Sequence, residues 1–370
     1  MNNVSNFYAT DRDIFDALTS KRKKMTTELL HELCHDRGII VSKRDSRESL
    51  IEYVSLLPHD YHDFDHIVQL IAATSRSEKI THDDVPVMIT NAEIKTAVDT
   101  VSEKREKYGE NYSVVVESEN RTVIKVDYTE MDYSMTRLRQ RSHKDAYIEI
   151  TREKGVTRIR RPANDKTAEI LDDIYAKLAE SEKNKVEKIK ISLQGVADPL
   201  KRTKFFTELI TNIPELKLTD VTYIKVDKIG DLEALNTSEE NEGEDSDVDE
   251  NEVVAQKMLG HVKKVALDGE GLLYSPEFQH LSDQGFFISS IIWQSLFDIA
   301  DPISVEFEAT FGNPEECTEF KYNVRCYFKA KNGVFTPTRR QFEDHEKTKF
   351  FKLIEECAMR TMGAIAAPGE

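Results

Sequence analysis

Nowhere in this sequence do about 20 apolar residues follow one another, the length a helix needs to cross a bilayer, so no membrane span is expected. Cysteine is scarce. The four present (Cys34, Cys317, Cys326 and Cys357) are too thinly spread for a disulfide scaffold and form no C-x-x-C pair. They are expected to be reduced thiols of a cytoplasmic protein, with Cys326 and Cys357 on apolar faces and serving as core packing. Glycine is sparse too, at 14 residues, and no G-x-x-x-x-G-K-[ST], G-x-G-x-x-G or G-x-S-x-G occurs. That argues against P-loop, Rossmann and serine-hydrolase chemistry, and no cofactor is expected. Met1 to Asp13 is polar and acidic where a signal peptide has a basic start and an apolar centre. Basic residues are outnumbered 51 to 68, a net charge of −17, which argues against indiscriminate coating of nucleic acid. A local basic patch still acts over a Debye length of about 8 Å whatever the total charge.

What is present is a chain of 370 residues, long enough for two or three domains. Its pattern indicates an α+β multi-domain fold without internal repeats. The expected limits are a helical module over 1–75, a mixed α/β sandwich over 86–236, an acidic disordered loop over 237–252 and an α+β domain over 253–370. In the module, helical spacing predicts helices over 26–37, 46–57 and 63–73, and the polar stretch 74–84 suggests a linker. A helix is expected over 86–108. Strands follow at 113–117, 122–127, 146–151 and 156–160, then a helix over 164–181, a strand at 188–193, a helix over 199–213 and a strand at 221–226. The segment from Thr237 to Glu252 holds nine acidic residues and no basic ones, the composition of a solvated connection. Beyond it, Val305, Phe307, Ala309 and Phe311 alternate, as do Phe320, Tyr322, Val324, Cys326 and Phe328, predicting a hairpin. A last helix over 338–362 places Phe350, Phe351, Ile354, Cys357, Ala358 and Thr361 on the stripe that backs it.

The stretch Thr26–Leu57 carries the most information. Leu30 and Leu33 sit on a first helix, Gly38-Ile39 follow it, Ser42-Lys43-Arg44 form a polar basic loop, and Leu50, Ile51 and Tyr53 lie on a second helix. This pattern resembles the SAP family of small DNA-binding modules. The resemblance implies contacts from loop and helix ends to the DNA backbone, through Lys43, Arg44 and Arg47, helped by Lys21–Lys24. Such contacts neutralise phosphates and carry little sequence preference.

A second basic region lies between Arg137 and Lys166, ten cations against four carboxylates. Arg137, Arg139 and Arg141 alternate, as do Arg158 and Arg160, and residues two apart on a strand face one side. A hairpin bearing Arg152, Arg158 and Arg160, followed by Arg161 and Lys166, would offer guanidinium forks to phosphate. Pairing with the chain's own carboxylates is the competing reading.

Two patterns point instead to a metal-dependent hydrolase. His31-Glu32-Leu33-Cys34-His35 fits H-E-x-x-H, which sets two imidazoles one helical turn apart, and the cluster His59, His62, His66 with Asp60, Asp63 and Asp65 could add a third ligand. Glu319-Phe320-Lys321 on a strand, with Asp301, Glu306 and Glu308 upstream, fits the acidic-residue and E-x-K arrangement of Mg²⁺-dependent nucleases. The expected function is nevertheless that of a DNA-associated accessory or adaptor protein, in bacterial genome maintenance or phage defence. It would bind duplex DNA electrostatically and recruit other protein subunits, with Lys43, Arg44, Arg47, Arg139, Arg158, Arg160 and Arg161 as contacts.

Overall fold

A computed structural model describes residues 9–20, 25–71, 78–132, 134, 140–182, 187–228, 264–331 and 333–366. The chain forms two compact units that alternate along the sequence. The first takes residues 1–76, 90–148 and 170–181, and the second takes 77–89, 149–169 and 182–370. Strands and helices are mixed, and every described strand pairing is antiparallel. The α+β class expected from the sequence is therefore present.

The first unit opens with four short helices, α1 (Asp11–Ser20), α2 (Thr27–His35), α3 (Arg47–Ser55) and α4 (Tyr61–Ile71). Ile14, Leu18, Leu30, Cys34, Leu50, Ile51, Val54, Ile67 and Ile71 close on one apolar core. Thr26 caps α2 by accepting from the Leu29 amide, and Ser46 caps α3 by accepting from the Ser49 amide. Gly38, at φ 72°, ends the α2 turn in the left-handed region that glycine enters at no steric penalty. Further along, α5 (Asn91–Arg105) starts at a capping box between Thr90 and Glu93 and packs on β2 (Asn111–Ser118). Expected from residue 86, the helix starts only at this box. β2 pairs with β3 (Arg121–Met131), which neighbours β4 (Arg141–Glu153). Buried Arg105 links α5 to Asp173 of α6 (Asp165–Glu182) and to Glu110.

In the second unit the strand order runs from the last residues of β4 through β5 (Val156–Pro162), β1 (Ile80–Val85), β10 (Thr318–Lys331), β9 (Ile303–Asn313), β8 (Phe286–Phe297), β6 (Leu216–Lys228) and β7 (Lys264–Asp268). The two-residue β11 (Val334–Phe335) pairs with β10. Helices α7 (Pro199–Thr211), α8 (Pro276–Asp283) and α9 (Asp344–Ala366) accompany this sheet. The core joins Phe205, Phe206 and Leu209 of α7, Trp293 of β8, Phe307 and Phe311 of β9, Phe320 and Tyr322 of β10, and Phe350, Ile354 and Cys357 of α9.

Several expectations need correction. Residues 80–84 are not linker but an inner strand, hydrogen-bonded to β5 along its whole length and bridged to β10 at Ile80. The expected strand at 188–193 reduces to one bridge, Asp84 to Ile189, because Ile191 and Leu193 are held by the core rather than by a ladder. A separation into domains at 86–236 and 253–370 does not match the pairing of β6 with β8, which lie on either side of the acidic segment in one sheet. That segment, 237–252, lies outside the described residues. On β10 the register shifts between Val324 and Cys326. This bulge turns Tyr327 to the apolar core and sets Cys326 opposite Glu306, so Cys326 and Phe328 do not share the face of Phe320, Tyr322 and Val324.

Candidate functional site

Arg158 and Arg160 alternate on β5 as the sequence demands, but their side faces the interior of the second unit. Arg158 donates through Nε and Nη2 to the two Asp84 oxygens at 2.7 and 2.8 Å. Arg160 donates through Nε and Nη2 to Glu355 at 2.6 and 2.8 Å, and through Nη1 to Glu149. Glu355 comes from α9 and is 0% exposed. It also accepts from the Tyr322 hydroxyl, and Arg158 Nη1 lies 3.4 Å from it. Completing the cluster, His82 Nδ1 stands 3.3 Å from the Tyr322 oxygen. Phe351 lies beneath the Arg160 guanidinium, 5.5 Å from ring centre to Cζ.

The electrostatics follow from this geometry. Burial alone would raise the Glu355 carboxyl, but the charge and hydrogen bonds of Arg160, with help from Arg158, hold it at about 2. Burial pushes His82 below its ordinary value, and the Glu355 carboxylate opposes that only in part. Tyr322 is driven up by burial and by Glu355. The expected basic surface at Arg158 and Arg160 is therefore an internal salt-bridge cluster. No local pattern around residue 160 announces Glu355, which arrives from a helix nearly two hundred residues later.

The neighbouring cations are also engaged inside the fold. Arg161 donates to the Pro162 and Asn164 carbonyls and to the Thr167 hydroxyl, fixing the start of α6. Arg152 is buried and donates to the Ile89 carbonyl. Arg137 and Arg139 lie outside the described residues. None of the described arginines expected on this hairpin is left on an open face.

The loop between α2 and α3 has the opposite character. Ser42 and Asp45 close a turn, with the Asp45 carboxylate accepting from the Ser42 amide at 3.0 Å and the Ser42 hydroxyl from the Arg44 amide at 3.2 Å. Asp45 is thereby folded back, while Lys43 and Arg44 at the tip are exposed. Arg47 is not part of that tip. Its Nε donates to the Met25 carbonyl at 2.8 Å and its Nη2 to the Leu18 carbonyl at 3.3 Å, tying α3 to α1. Ile40, next to the tip, is 95% exposed between the core-packed Ile39 and Val41. Lys21–Lys24 lie outside the described residues.

The histidine cluster is a staple rather than a ligand set. His59 bonds the Val54 carbonyl through Nε2 and takes Arg37 Nη2 at Nδ1, which uses both ring nitrogens. Arg37 also pairs with Asp63 at 2.5 Å and donates to the Pro58 carbonyl. His31 and His35 do share a helical face, but among the described residues no third ligand joins them. Among the described residues no group of three or more His, Cys, Asp or Glu is placed to hold a metal. In the second unit, Glu319 pairs with Lys321 at 3.1 Å, over Gly312, where any added Cβ would collide with both side chains. Glu308 pairs with Lys79. Glu306 is buried between Arg325 and Arg339, an arrangement the alternation pattern did not reveal because the bulge beside Arg325 creates it. Among the described residues, Lys43 and Arg44 are thus the expected contact residues that the fold leaves exposed. The chain matches no known protein-family model, and no curated protein matches it.

Proposed function

We propose that the protein is a DNA-associated accessory protein whose N-terminal helical module docks onto duplex DNA through Lys43 and Arg44. The observation that carries this is the turn at Ser42–Asp45, which pushes two adjacent cations into solvent and folds the neighbouring carboxylate away. The two capped helices with an extended loop between them support the SAP-like reading of Thr26–Leu57. Immediately after the tip, α3 begins, and helix N-termini favour phosphate oxygens. The role is docking rather than turnover, with recruitment of protein subunits left to the rest of the chain.

Two phosphate contacts give weak, sequence-independent binding, at the weak end of the roughly 10⁻⁴ to 10⁻⁶ M range of non-specific complexes. The test is fluorescence anisotropy of a labelled 20-base-pair duplex at low salt. The double variant Lys43→Glu/Arg44→Glu is expected to lose binding at least tenfold, and two duplexes of unrelated sequence to bind alike. Unchanged affinity in the double variant would refute the assignment.

A further inference from the structure

The two ends of the strand order are built differently. β7 is five residues long and begins and ends on the charged Lys264 and Asp268. A short charged strand of this kind is a common way to keep a sheet edge from pairing with another chain. β2 has less of that protection: one charge, Glu117, at a register shift between Val116 and Ser118 near its end. It runs for eight residues, Asn111-Tyr-Ser-Val-Val-Val-Glu-Ser118, without proline or lysine, and three consecutive valines occupy its middle. Among the described residues it pairs with β3 alone. Val115 and Val116, which pair with β3 just ahead of that shift, are 52% and 50% exposed.

We propose that β2 is a self-association edge, on which a second copy of this chain adds its own β2 antiparallel to form a two-fold dimer. The strand's charge distribution favours this occupant. Residues 111–116 are uncharged, and Glu117 is the single charge before Ser118. A two-fold axis perpendicular to the sheet makes each residue face one whose number differs by an even count. With the axis at Val115, Glu117 faces Ser113 of the copy; with the axis at Val114, it faces Asn111. Both are hydrogen-bond donors, and no like charges meet in either register. For two chains that each carry −17, an uncharged strand is where close approach meets least repulsion. Pairing also satisfies the outer N–H and C=O groups of β2 and covers the exposed valines. A single strand pair is a small interface, so association in the micromolar range is expected.

The experiment is sedimentation equilibrium of the full chain between about 2 and 200 μM, without DNA. The expected weight-average mass rises from 42.5 kDa toward twice that value. Val114→Lys and Val115→Lys each set like charges across one of the two axes, and the lysine on the axis is expected to hold the chain at 42.5 kDa with an unchanged circular dichroism spectrum, while Ala266→Lys on β7 still dimerises. Single cysteines at Val114, Val115 and Val116 add a second readout, since the four native cysteines are all buried. Opposed residues in an antiparallel pair lie about 4.5–5.5 Å apart at Cα, within disulfide reach. The cysteine on the axis should cross-link under mild oxidation, while Ala266→Cys should not. A monomer throughout the range would overturn the proposal and leave the edge to an extended peptide from another protein. A dimer that persists in both β2 lysine variants, or cross-linking equal at position 266, would overturn it as well.

Discussion

Replacing Glu355 by alanine should destabilise the second unit more than any single surface substitution. The side chain is fully buried and accepts from Arg160, Arg158 and Tyr322. Its carboxyl is held at about 2 against an ordinary 4.5, a gap equivalent to about 3 kcal/mol of preferential stabilisation of the charged form. Removing one partner of a buried pair also leaves the other charge stranded, which typically costs about 3–5 kcal/mol. Trp293, the sole tryptophan, is fully buried in the same core, so its fluorescence reports unfolding of this unit. With a urea slope of about 2–3 kcal/mol per molar, the midpoint should fall by about 1–2 M. The double variant Arg160→Met/Glu355→Leu, which removes the stranded guanidinium as well, should be more stable than Glu355→Ala. A midpoint within about 0.3 M of the parent would refute the view that this cluster anchors α9 to the sheet.

Acid should weaken the same unit in two stages. Because the folded carboxyl of Glu355 lies below its unfolded value, its contribution is complete above about pH 4.5 and fades as the pH falls toward about 2. His82 is depressed below 6.5, so the unfolded chain takes up a proton first and stability drops as pH falls through about 6.5; His82→Asn should flatten that upper limb in Trp293-monitored urea titrations. Arg47→Met removes both bonds from α3 to the Leu18 and Met25 carbonyls and should cost about 1–3 kcal/mol, seen as faster hydrogen exchange in α1 and α3. All four thiols are buried, and Cys317 and Cys326 are pushed up to about 11, so a thiol reagent should label the native protein slowly and the urea-unfolded protein at once.

Helices α2 and α3 of the N-terminal module were legible because each carries its own signals, whereas α1 was not expected. Thr26 and Ser46 cap them, Gly38 ends α2, and the apolar spacing of Leu50, Ile51 and Val54 needs no distant partner to be recognised. The inner strand β1 was illegible for the opposite reason. Its Thr-His-Asp-Asp sequence looks solvated, and only Arg158, Tyr322 and the β5 ladder, all distant in sequence, make those polar groups suitable for burial. β8 escaped notice because six successive residues from Phe286 to Ile291 are buried, which erases the alternation that marks a half-exposed strand. Among the cations, spacing placed Arg158 and Arg160 on one side of a strand but could not say which side faces inward. At the loop tip, Ser42-Lys43-Arg44 could be found from sequence because a short polar turn between two capped helices has nowhere to bury a charge.

The proposed contact of Lys43 and Arg44 with DNA phosphates is read out by the salt dependence of duplex binding. For two neutralised phosphates, the plot of log affinity against log salt should have a slope of about −2. Lys43→Glu/Arg44→Glu should abolish that binding, while Lys329→Glu on the second unit leaves it intact. A duplex affinity that does not vary with salt, or a slope unchanged in the double variant, would contradict the account.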